Sequence, residues 1–203
     1  MRKTTLSLII FIAAAIFILQ SCYPGDELTY SDTDIVATFY DKDADFSNYD
    51  TYIMSDTIYT FDDESQSLIP NDDISLTNKT TILNGIESNL EDIGFNSTSN
   101  PSDADVVIAV IVTSSTWVGG GCYYGYWSYW YPYYSWCYPV YYTYDTGTII
   151  IAMIDKSVTE ERPGLWIATI NGLLGDANTE LQSRINQNID QAFSQSPYLG
   201  EGK

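Results

Sequence analysis

The sequence predicts an α+β fold, a single mixed, largely antiparallel β-sheet of about five strands with two amphipathic helices packed on it. Apolar residues recur at helical spacing in only two segments, residues 77–94 and 181–193. Two other runs, ADVVIAVIVTSS and TIIIAMID, are apolar on both faces, which is typical of covered central strands. Strands also follow one another as hairpin neighbours, which argues against a doubly wound parallel sheet.

The first half of the domain contains two predicted strands and one predicted helix. The strands are Ile35–Tyr40 and Thr51–Met54, which are rich in β-branched and aromatic residues. An acidic connection, Asp62–Asp73, leads to the helix, which begins near Thr77 and stops at Gly94. The apolar face of this helix consists of Ile82, Leu83, Ile86, Leu90 and Ile93.

The second half supplies the remaining strands and the second helix. After the central strand in ADVVIAVIVTSS, the next two predicted strands are Thr148–Asp155 and Leu165–Leu174, which a polar turn joins as a hairpin. The second helix ends at Ser196 and Pro197. Its apolar face consists of Leu181, Ile185, Ile189, Ala192 and Phe193.

An aromatic segment, Trp117–Tyr144, connects two of the core strands. It holds eleven of the 18 tyrosines and four of the five tryptophans, and no charged side chain lies between Val118 and Tyr144. A domain of this size cannot bury so many phenols and indoles, so we expect many of the rings at the surface. A self-packed flap over the sheet is the structural alternative. The candidate binding residues are Tyr124, Tyr126, Trp127, Trp130, Tyr131, Tyr134 and Trp136.

Residues 1–21 have the pattern of a bacterial lipoprotein signal peptide. Arg2 and Lys3 precede an apolar run, and the sequence Leu-Gln-Ser-Cys ends at Cys22. The apolar run of about 14 residues is shorter than the roughly 20 that a membrane-spanning helix needs. We therefore expect acylation of Cys22, which would attach the chain to a membrane. Residues 22–34 are predicted to be a flexible tether and residues 35–198 a single domain with the aromatic insertion at 117–144.

Acidic residues dominate the charge of the chain, whose formal net charge is −19. Nucleic acid and anionic head groups would be repelled, because binding them requires a basic surface. The expected address is that of an outer-membrane lipoprotein that faces either the periplasm or the cell surface. Asp26 and Glu27, close behind Cys22, resemble the acidic export signal of surface lipoproteins.

The three cysteines suggest one disulfide. Because Cys22 is assigned to lipid, Cys122 and Cys137 remain as a pair in an oxidising compartment. Their bond would close a loop of about 15 residues and stabilise the fold by about 3 kcal/mol. Reduced cysteines or half a metal site are the alternatives, but the chain has no histidine and no carboxylate lies nearby.

The composition removes most classes of catalytic site. Without histidine the chain lacks the usual general base, the Ser-His-Asp arrangement and the commonest zinc and haem ligands. The glycines at 119–121 are not followed by the lysine of a phosphate-binding loop. We expect no cofactor, no metal and no enzymatic activity. The enzymatic alternative is a carboxylate-dependent glycoside hydrolase, since acidic pairs are abundant.

Two further features have both functional and structural interpretations. Asp41, Asp43 and Asp45 have the odd spacing of a calcium loop, but aromatic residues occupy the positions of its glycine and its closing glutamate. Solvated turn residues are the favoured interpretation. Trp166 lies within a predicted strand, which favours core packing over binding.

Several pieces of the sequence resemble the bacterial lipoproteins of the "domain of unknown function 4136" family. The pieces are DADFSNYDTYIMS, LEDIGF, DADVVIAVIV, TGTIIIAMIDKS, LWIATINGLL and AFSQSPY, and together they span nearly the whole mature chain. Ala168 replaces the glycine that usually follows Trp166 by two positions. Many members also carry a Tyr-, Gly-, Pro- and Trp-rich connection in the corresponding place. The resemblance implies a small α/β envelope domain without an assigned activity, and it provides no catalytic residues.

These observations favour a binding or structural module of the cell envelope. Tyrosine and tryptophan are typical of protein interfaces, so the expected partner of the aromatic segment is an envelope protein or a second copy of the chain. The same rings also suit the head-group level of a bilayer. Because flat rings stack on sugars, glycan binding is the alternative. The membrane itself is an expected partner through the N-terminal lipid.

Overall fold

In the computed structural model of the chain, the described residues are 34–62, 67–113, 117–118, 143–144, 147–157, 164–171 and 180–203. They form the predicted α+β fold, with two helices, α1 (Leu76–Asp92) and α2 (Leu181–Ser194), that pack on a mixed β-sheet. Within these ranges neither helix has the length and apolar character that crossing a membrane requires.

The strands of the described ranges form one large sheet and one small ladder. The large sheet has eight strands in the order β1-β10-β9-β6-β2-β5, with β3 beside β6 and β4 beside β3, and the ladder joins β7 and β8. In chain order the strands are β1 (Ile35–Tyr40), β2 (Thr51–Met54), β3 (Tyr59–Asp62), β4 (Ser67–Pro70), β5 (Asn96–Ser97), β6 (Val106–Val112), β7 (Trp117–Val118), β8 (Thr143–Tyr144), β9 (Ile149–Asp155) and β10 (Trp166–Asn171).

The predicted number of about five strands is wrong, because the main sheet has eight. The largest difference is the β3–β4 hairpin, half of which lies in the stretch predicted to be an acidic connection, Asp62–Asp73. Although its sequence is mostly polar, the hairpin has a short apolar face, on which Tyr59 and Leu68 are buried against the sheet. The other addition is β5, whose two residues are too short to give a periodic signal.

The central strands β6 and β9 confirm the prediction of burial on both faces. All seven residues of β6 are buried, and so are the first five of β9. On one face Ile108 and Ile151 pack in the core that includes the helical residues Ile86 and Ile189. On the other face alternate residues join the buried cluster of the β3–β4 hairpin. The two strands therefore form the rigid centre of the domain.

Both helices end close to the predicted positions. Ser75 caps the N-terminus of α1, where its side chain accepts a hydrogen bond from the Asn78 amide. Gly94, with φ of +98°, ends α1 in the left-handed conformation that favours glycine. Gly85 faces α2, where an added Cβ would lie 3.2 Å from Asn186 Oδ1, so a small residue permits the close approach of the helices.

The two ends of the main sheet differ in character. β6 and β9 pair antiparallel from Val106 opposite Asp155 to Val112 opposite Ile149. We call the end with Val112 and Ile149 the aromatic end, because the aromatic segment leaves from it. The opposite end is called the acidic end, and its aspartates are Asp41, Asp43, Asp45, Asp50, Asp103, Asp105 and Asp155. Ile35 at the start of β1 lies at the aromatic end, through the pairing of β1 with β10 and of β10 with β9.

Both helices begin at the aromatic end. Asn71 links the end of β6 to the start of α1, because its side-chain amide donates to Val112 O (3.3 Å) and its side-chain oxygen accepts from the Ile74 amide (3.2 Å). Gln182, at the start of α2, donates to Asn78 Oδ1 in the first turn of α1 (3.1 Å). The positive ends of both helix dipoles therefore lie at this end of the sheet.

Candidate functional site

The aromatic segment lies in the chain between the central strands β6 and β9, whose pairing is extended by two further backbone hydrogen bonds. Beyond β6 and β9, the Thr113 amide donates to Thr148 O (3.0 Å) and the Gly147 amide donates to Thr113 O (2.8 Å). Gly147 has φ of +90°, which glycine adopts without strain. β7 and β8 then pair antiparallel, with Trp117 opposite Tyr144. The chain therefore leaves and re-enters the described structure at neighbouring points.

The predicted site residues lie outside the described residues, so their placement stays a prediction. This applies to the lipidation site Cys22, to the disulfide pair Cys122 and Cys137, and to the candidate binding residues Tyr124, Tyr126, Trp127, Trp130, Tyr131, Tyr134 and Trp136. What the structure adds is the pair of central strands between which the segment lies in the chain, β6 with all seven residues buried and β9 with its first five buried.

A polar cleft of about 410 Å³ lies at the acidic end of the sheet. The 3₁₀ turn before β2, the residues around the start of β6 and the turn after β9 form its walls. Its lining residues are Asn48, Tyr49, Ala104, Asp105, Asp155, Lys156 and Ser157. Sequence reasoning did not identify this cleft.

Asp105 joins the starts of β2 and β6. Its Oδ2 atom accepts hydrogen bonds from the Asp50 amide (3.0 Å), the Thr51 amide (2.9 Å) and the Thr51 hydroxyl (2.8 Å). Although partial burial opposes the effect, the hydrogen bonds from Thr51 and Asp50 hold the pKa of Asp105 below its usual value. The carboxylate is therefore ionised at neutral pH, with three protein donors on Oδ2.

Asp155 is held in a similar way at the end of β9. The Tyr49 hydroxyl donates to its Oδ2 (2.9 Å), and the amide and hydroxyl of Ser157 donate to its Oδ1 (2.6 and 2.7 Å). Burial, this hydrogen bond and the negative charge of Asp155 raise the pKa of Tyr49, so the phenol stays neutral. Both carboxylates of the cleft accept hydrogen bonds from neighbouring turns and strands.

Lys203 brings a positive charge to the same end. Its Nζ donates to Tyr49 O, lies 3.7 Å from Asp50 Oδ1 and sits 3.4 Å from the centre of the Phe95 ring. Desolvation lowers the pKa of Lys203, while the charges of Asp50 and Asp105 oppose that shift. This contact ties the last residue of the chain to the start of β2.

The aspartates of the calcium-like stretch stabilise the turn in which they lie. Asp41 Oδ1 accepts from the Asp43 amide (2.9 Å), and Asp45 Oδ1 accepts from the amide and hydroxyl of Ser47 (3.1 and 2.6 Å). Nowhere in the described part of the chain do three or more carboxylates or thiols group around a possible metal position. These contacts agree with the interpretation as turn residues.

Trp166 is a core residue, as predicted. It is fully buried, packs against Phe193 with 5.1 Å between ring centres, and donates from Nε1 to Ser196 Oγ (2.8 Å). The serine thus satisfies the one polar atom of the indole inside the core.

The sequence positions of two aspartates indicate that they lie close together in the cleft, but they do not indicate a function. Asp105 immediately precedes β6 and Asp155 ends β9, so antiparallel pairing of the two strands brings both carboxylates to one end of the sheet. The position of Tyr49 between them depends on the 3₁₀ turn Phe46–Asn48, which the sequence pattern does not reveal.

Comparison with solved structures supports the fold. The chain is similar to a DUF4136 family protein from Bacteroides thetaiotaomicron, at 24% identity and a TM-score of 0.60, covering 83% of this chain and 98% of that chain. It is more distantly similar to a PDZ domain protein from Parabacteroides distasonis, at 17% identity and a TM-score of 0.43, covering 81% of this chain and 36% of that chain. The PelC dodecamer from Paraburkholderia phytofirmans follows at 14% identity and a TM-score of 0.39, covering 82% and 98%.

Comparison with protein families gives a consistent result, whereas no curated protein matches the chain. The sequence matches the family described as "Domain of unknown function (DUF4136)" over residues 36–198. This range extends from β1 to the last turn of the chain and includes both helices and the aromatic segment. The chain therefore belongs to the DUF4136 family.

Proposed function

We propose that the protein is a non-enzymatic outer-membrane lipoprotein, anchored by lipid on Cys22, whose aromatic segment binds an envelope protein or a second copy of the chain. The observation that carries the proposal is the position of the segment, an uncharged stretch rich in Tyr and Trp that lies in the chain between the central strands β6 and β9 and whose two ends, β7 and β8, pair with each other.

The central strands provide a fixed base for recognition. β6 and β9 are paired along their full length, backbone hydrogen bonds extend this pairing to Thr113, Gly147 and Thr148, and β7 and β8 pair with each other. A binding surface held on rigid elements loses less conformational entropy on binding than one on a free loop. The predicted Cys122–Cys137 disulfide would restrict the segment further.

The side chains of the segment suit a protein partner. Tyrosine and tryptophan have large contact areas, few rotatable bonds and one polar atom each, which is why they are enriched among the residues that dominate binding energy. Replacing the three central tryptophans with alanine should therefore remove most of the affinity. Glycan binding by the same rings is the alternative function.

The polar cleft gives no support to the hydrolase alternative. A glycoside hydrolase needs one carboxyl group as acid and another as base or nucleophile. In the cleft, Asp105 and Asp155 each accept several hydrogen bonds from the protein itself. These hydrogen bonds stabilise the fold at the acidic end of the sheet.

Crosslinking on intact cells tests the proposal. The wild-type chain should form a discrete adduct with an envelope protein or with itself. A variant with Trp127, Trp130 and Trp136 all changed to Ala should lose about 90% of that adduct, since each buried aromatic anchor contributes about 2 kcal/mol or more. Tyr40→Ala is the matched control, because it removes a half-exposed ring at the acidic end.

A second assay separates the glycan alternative. Pull-down on cell-wall or capsular polysaccharide, read together with quenching of tryptophan fluorescence, should show no specific binding if the partner is a protein. Specific binding that the triple variant loses would favour the glycan instead. A triple variant that equals the wild type in both assays would show that the segment is a self-packed flap and would refute the proposal.

A further inference from the structure

We propose that β1 is a docking edge for a second copy of the chain, whose own β1 adds to it in antiparallel orientation and joins the two main sheets into one. The inference concerns a surface that the aromatic segment does not form. It depends on neither the lipid anchor nor the partner of the proposed function, and it assigns a partner and a register to an open edge of the described sheet.

The edges of the main sheet differ in length and in composition. Within the described residues the sheet ends at β1 on one side and at β4 and β5 on the other. β5 has two residues, and β4 has four and ends at Pro70, which limits their pairing with another chain. β1 has six residues, IVATFY, without a charge, a proline or a glycine. It therefore lacks the features with which proteins commonly protect an exposed edge.

Alternate backbone groups of β1 point away from the sheet. The Asp41 amide donates to Leu165 O (2.9 Å), which identifies these facing residues as a hydrogen-bonded pair. Because such pairs alternate along antiparallel strands, the odd-numbered residues of β1 bond to β10. The amides and carbonyls of Val36, Thr38 and Tyr40 therefore point outwards, and no strand of the described ranges pairs with them.

The side chains of β1 are more exposed than those of the neighbouring strand. None of the six residues of β1 is buried, whereas five of the six residues of β10 are. Ile35, Phe39 and Tyr40 are 62%, 39% and 46% exposed, and they are three of the five large hydrophobic residues that are exposed in the described part of the chain. All three lie on one continuous strand, so a strand added beside it would remove apolar surface from water.

The sequence of β1 is complementary to itself in antiparallel pairing. Placing Thr38 opposite Thr38 of the second copy lets all three outward-pointing residues pair, which gives about six backbone hydrogen bonds. In this register Val36 faces Tyr40 of the second copy and Ala37 faces Phe39, so a smaller side chain lies opposite a larger one. A shift by two residues would leave only about four backbone bonds. The arrangement has a two-fold axis at Thr38 and closes at two copies.

The charges beside β1 do not oppose this pairing, although the chain carries a formal net charge of −19. Asp34, before the strand, accepts two hydrogen bonds from Arg184, and Asp41, after the strand, is followed by Lys42. Each end of β1 therefore has one negative and one positive side chain. Two-fold pairing places the start of one strand beside the end of the other, so these charges create no excess of one sign at the junction.

Both ends of β1 are fixed within the chain itself. At the start, Asp34 also accepts a hydrogen bond from Asn188 Nδ2 on α2 (2.9 Å), and its side chain is only 2% exposed. At the end, the Tyr40 ring stacks on the Tyr198 ring with 4.1 Å between their centres. After β1 the chain crosses the acidic end to reach β2 on the far side of β6, which takes it away from the outer edge of β1. A strand that is already extended loses little conformational entropy when another strand adds to it.

Disulfide trapping in the purified full-length protein tests the register. Thr38→Cys places the new cysteine on the two-fold axis, where facing Cα atoms lie about 5.5 Å apart, within the range of a disulfide. Val36→Cys is the matched control, because its two copies would be separated by about 13 Å along the strand. After oxidation with diamide, mass spectrometry should find about tenfold more of the symmetric crosslink for Thr38→Cys than for Val36→Cys.

An exchange of charge at the same position gives an independent test. Thr38→Lys and Thr38→Glu each place like charges opposite one another, which should raise the dissociation constant of the dimer about fivefold in sedimentation velocity. A mixture of the two variants places opposite charges on the axis and should restore association to within about twofold of the wild type. Urea unfolding checks that both variants stay folded, which is expected because Thr38 is partly exposed.

Three outcomes would overturn the inference. One is an equal crosslink yield at positions 36 and 38, including none at either, and another is a mixture that associates no better than each charged variant alone. The third separates this inference from the proposed function. Thr38→Cys combined with the change of Trp127, Trp130 and Trp136 to Ala should keep the symmetric crosslink, and its loss would show that the copies associate through the aromatic segment instead. Crosslinking on cells in the Thr38→Lys background reports on the aromatic segment alone.

Discussion

Replacing Asp105 with alanine tests whether the polar cleft supports the fold. The change removes the acceptor of three hydrogen bonds that join the start of β2 to the start of β6. These two strands pair in parallel over three residues, and the loop between them contains the whole of α1. Asp105 therefore holds together two strands that are distant in the sequence.

The expected cost follows from the geometry of the carboxylate. Hydrogen bonds to a charged group contribute about 1.5–3 kcal/mol each when they are buried, but Asp105 is partly exposed and water can replace part of the loss. We expect Asp105→Ala to lower the free energy of unfolding by about 2–3 kcal/mol. Thr51→Val removes the hydroxyl that contacts Asp105 Oδ2, the Asp103 carbonyl and the Asp105 amide, and should cost about 1–2 kcal/mol. The double variant should cost less than the sum of the two.

The same residue predicts a dependence on pH. Because the pKa of Asp105 is lowered in the folded chain, its stabilisation is present above about pH 4 and is lost as the pH falls through the lowered pKa. Asp105→Asn keeps the size of the side chain without the charge. The wild type should therefore lose more stability between pH 5 and pH 2 than this variant does.

Urea unfolding followed by circular dichroism measures all five proteins. Equal m-values, the slopes of the unfolding free energy against urea concentration, would show that the proteins differ in stability and not in the surface exposed on unfolding. An Asp105→Ala variant within about 0.5 kcal/mol of the wild type at pH 7 would refute the structural role, since changes of that size are typical of ordinary surface positions. The cleft would then be better explained as a site whose residues are optimised for a ligand.

Three other predictions concern the core and its surroundings. Trp166→Phe should cost about 2–3 kcal/mol in urea unfolding, because it removes the buried hydrogen bond to Ser196 Oγ and creates a cavity; a loss below about 0.5 kcal/mol would contradict this. Gly85→Leu should destabilise by about 2 kcal/mol or more, because a Cβ at this position already lies 3.3 Å from Ile189 Cδ1. Gly85→Ala is the matched control and should be nearly neutral, since improved helix propensity of about 1 kcal/mol offsets the close contact. Burial and nearby glutamates raise the pKa of Tyr52 to about 12, so stability should fall as the pH rises from about 10 to about 12, and alkaline unfolding of Tyr52→Phe should lack that part of the decline.

The sequence predicted those elements whose side chains repeat with a clear period. β6 and β9 are apolar on both faces, and the two helices have a regular apolar face, so each was located to within a few residues. The β3–β4 hairpin was missed because acidic residues surround its two short strands, so that the whole stretch reads as a polar connection. Periodicity needs a longer stretch to be distinguished from chance.

Sequence patterns did not predict the polar contacts between residues that are distant in the chain. The Asp34–Arg184 pair joins residues 150 positions apart, and Tyr49 reaches Asp155 across 106 positions. Each depends on the final packing of α2 and β9 against elements from the start of the domain. The family resemblance included Tyr49, Asp105 and Asp155 among its sequence pieces, but their common location became visible only with the strand order.

The central claim is that the aromatic segment contacts a partner, and photo-crosslinking from within it in living cells is the most direct measurement. Benzoylphenylalanine in place of Tyr131 should give a discrete adduct, either with another envelope protein or as a dimer of the chain. The same residue in place of Asp43 should give none. An absence of protein adducts from Tyr131, in cells where the protein is lipidated and folded, would contradict the claim.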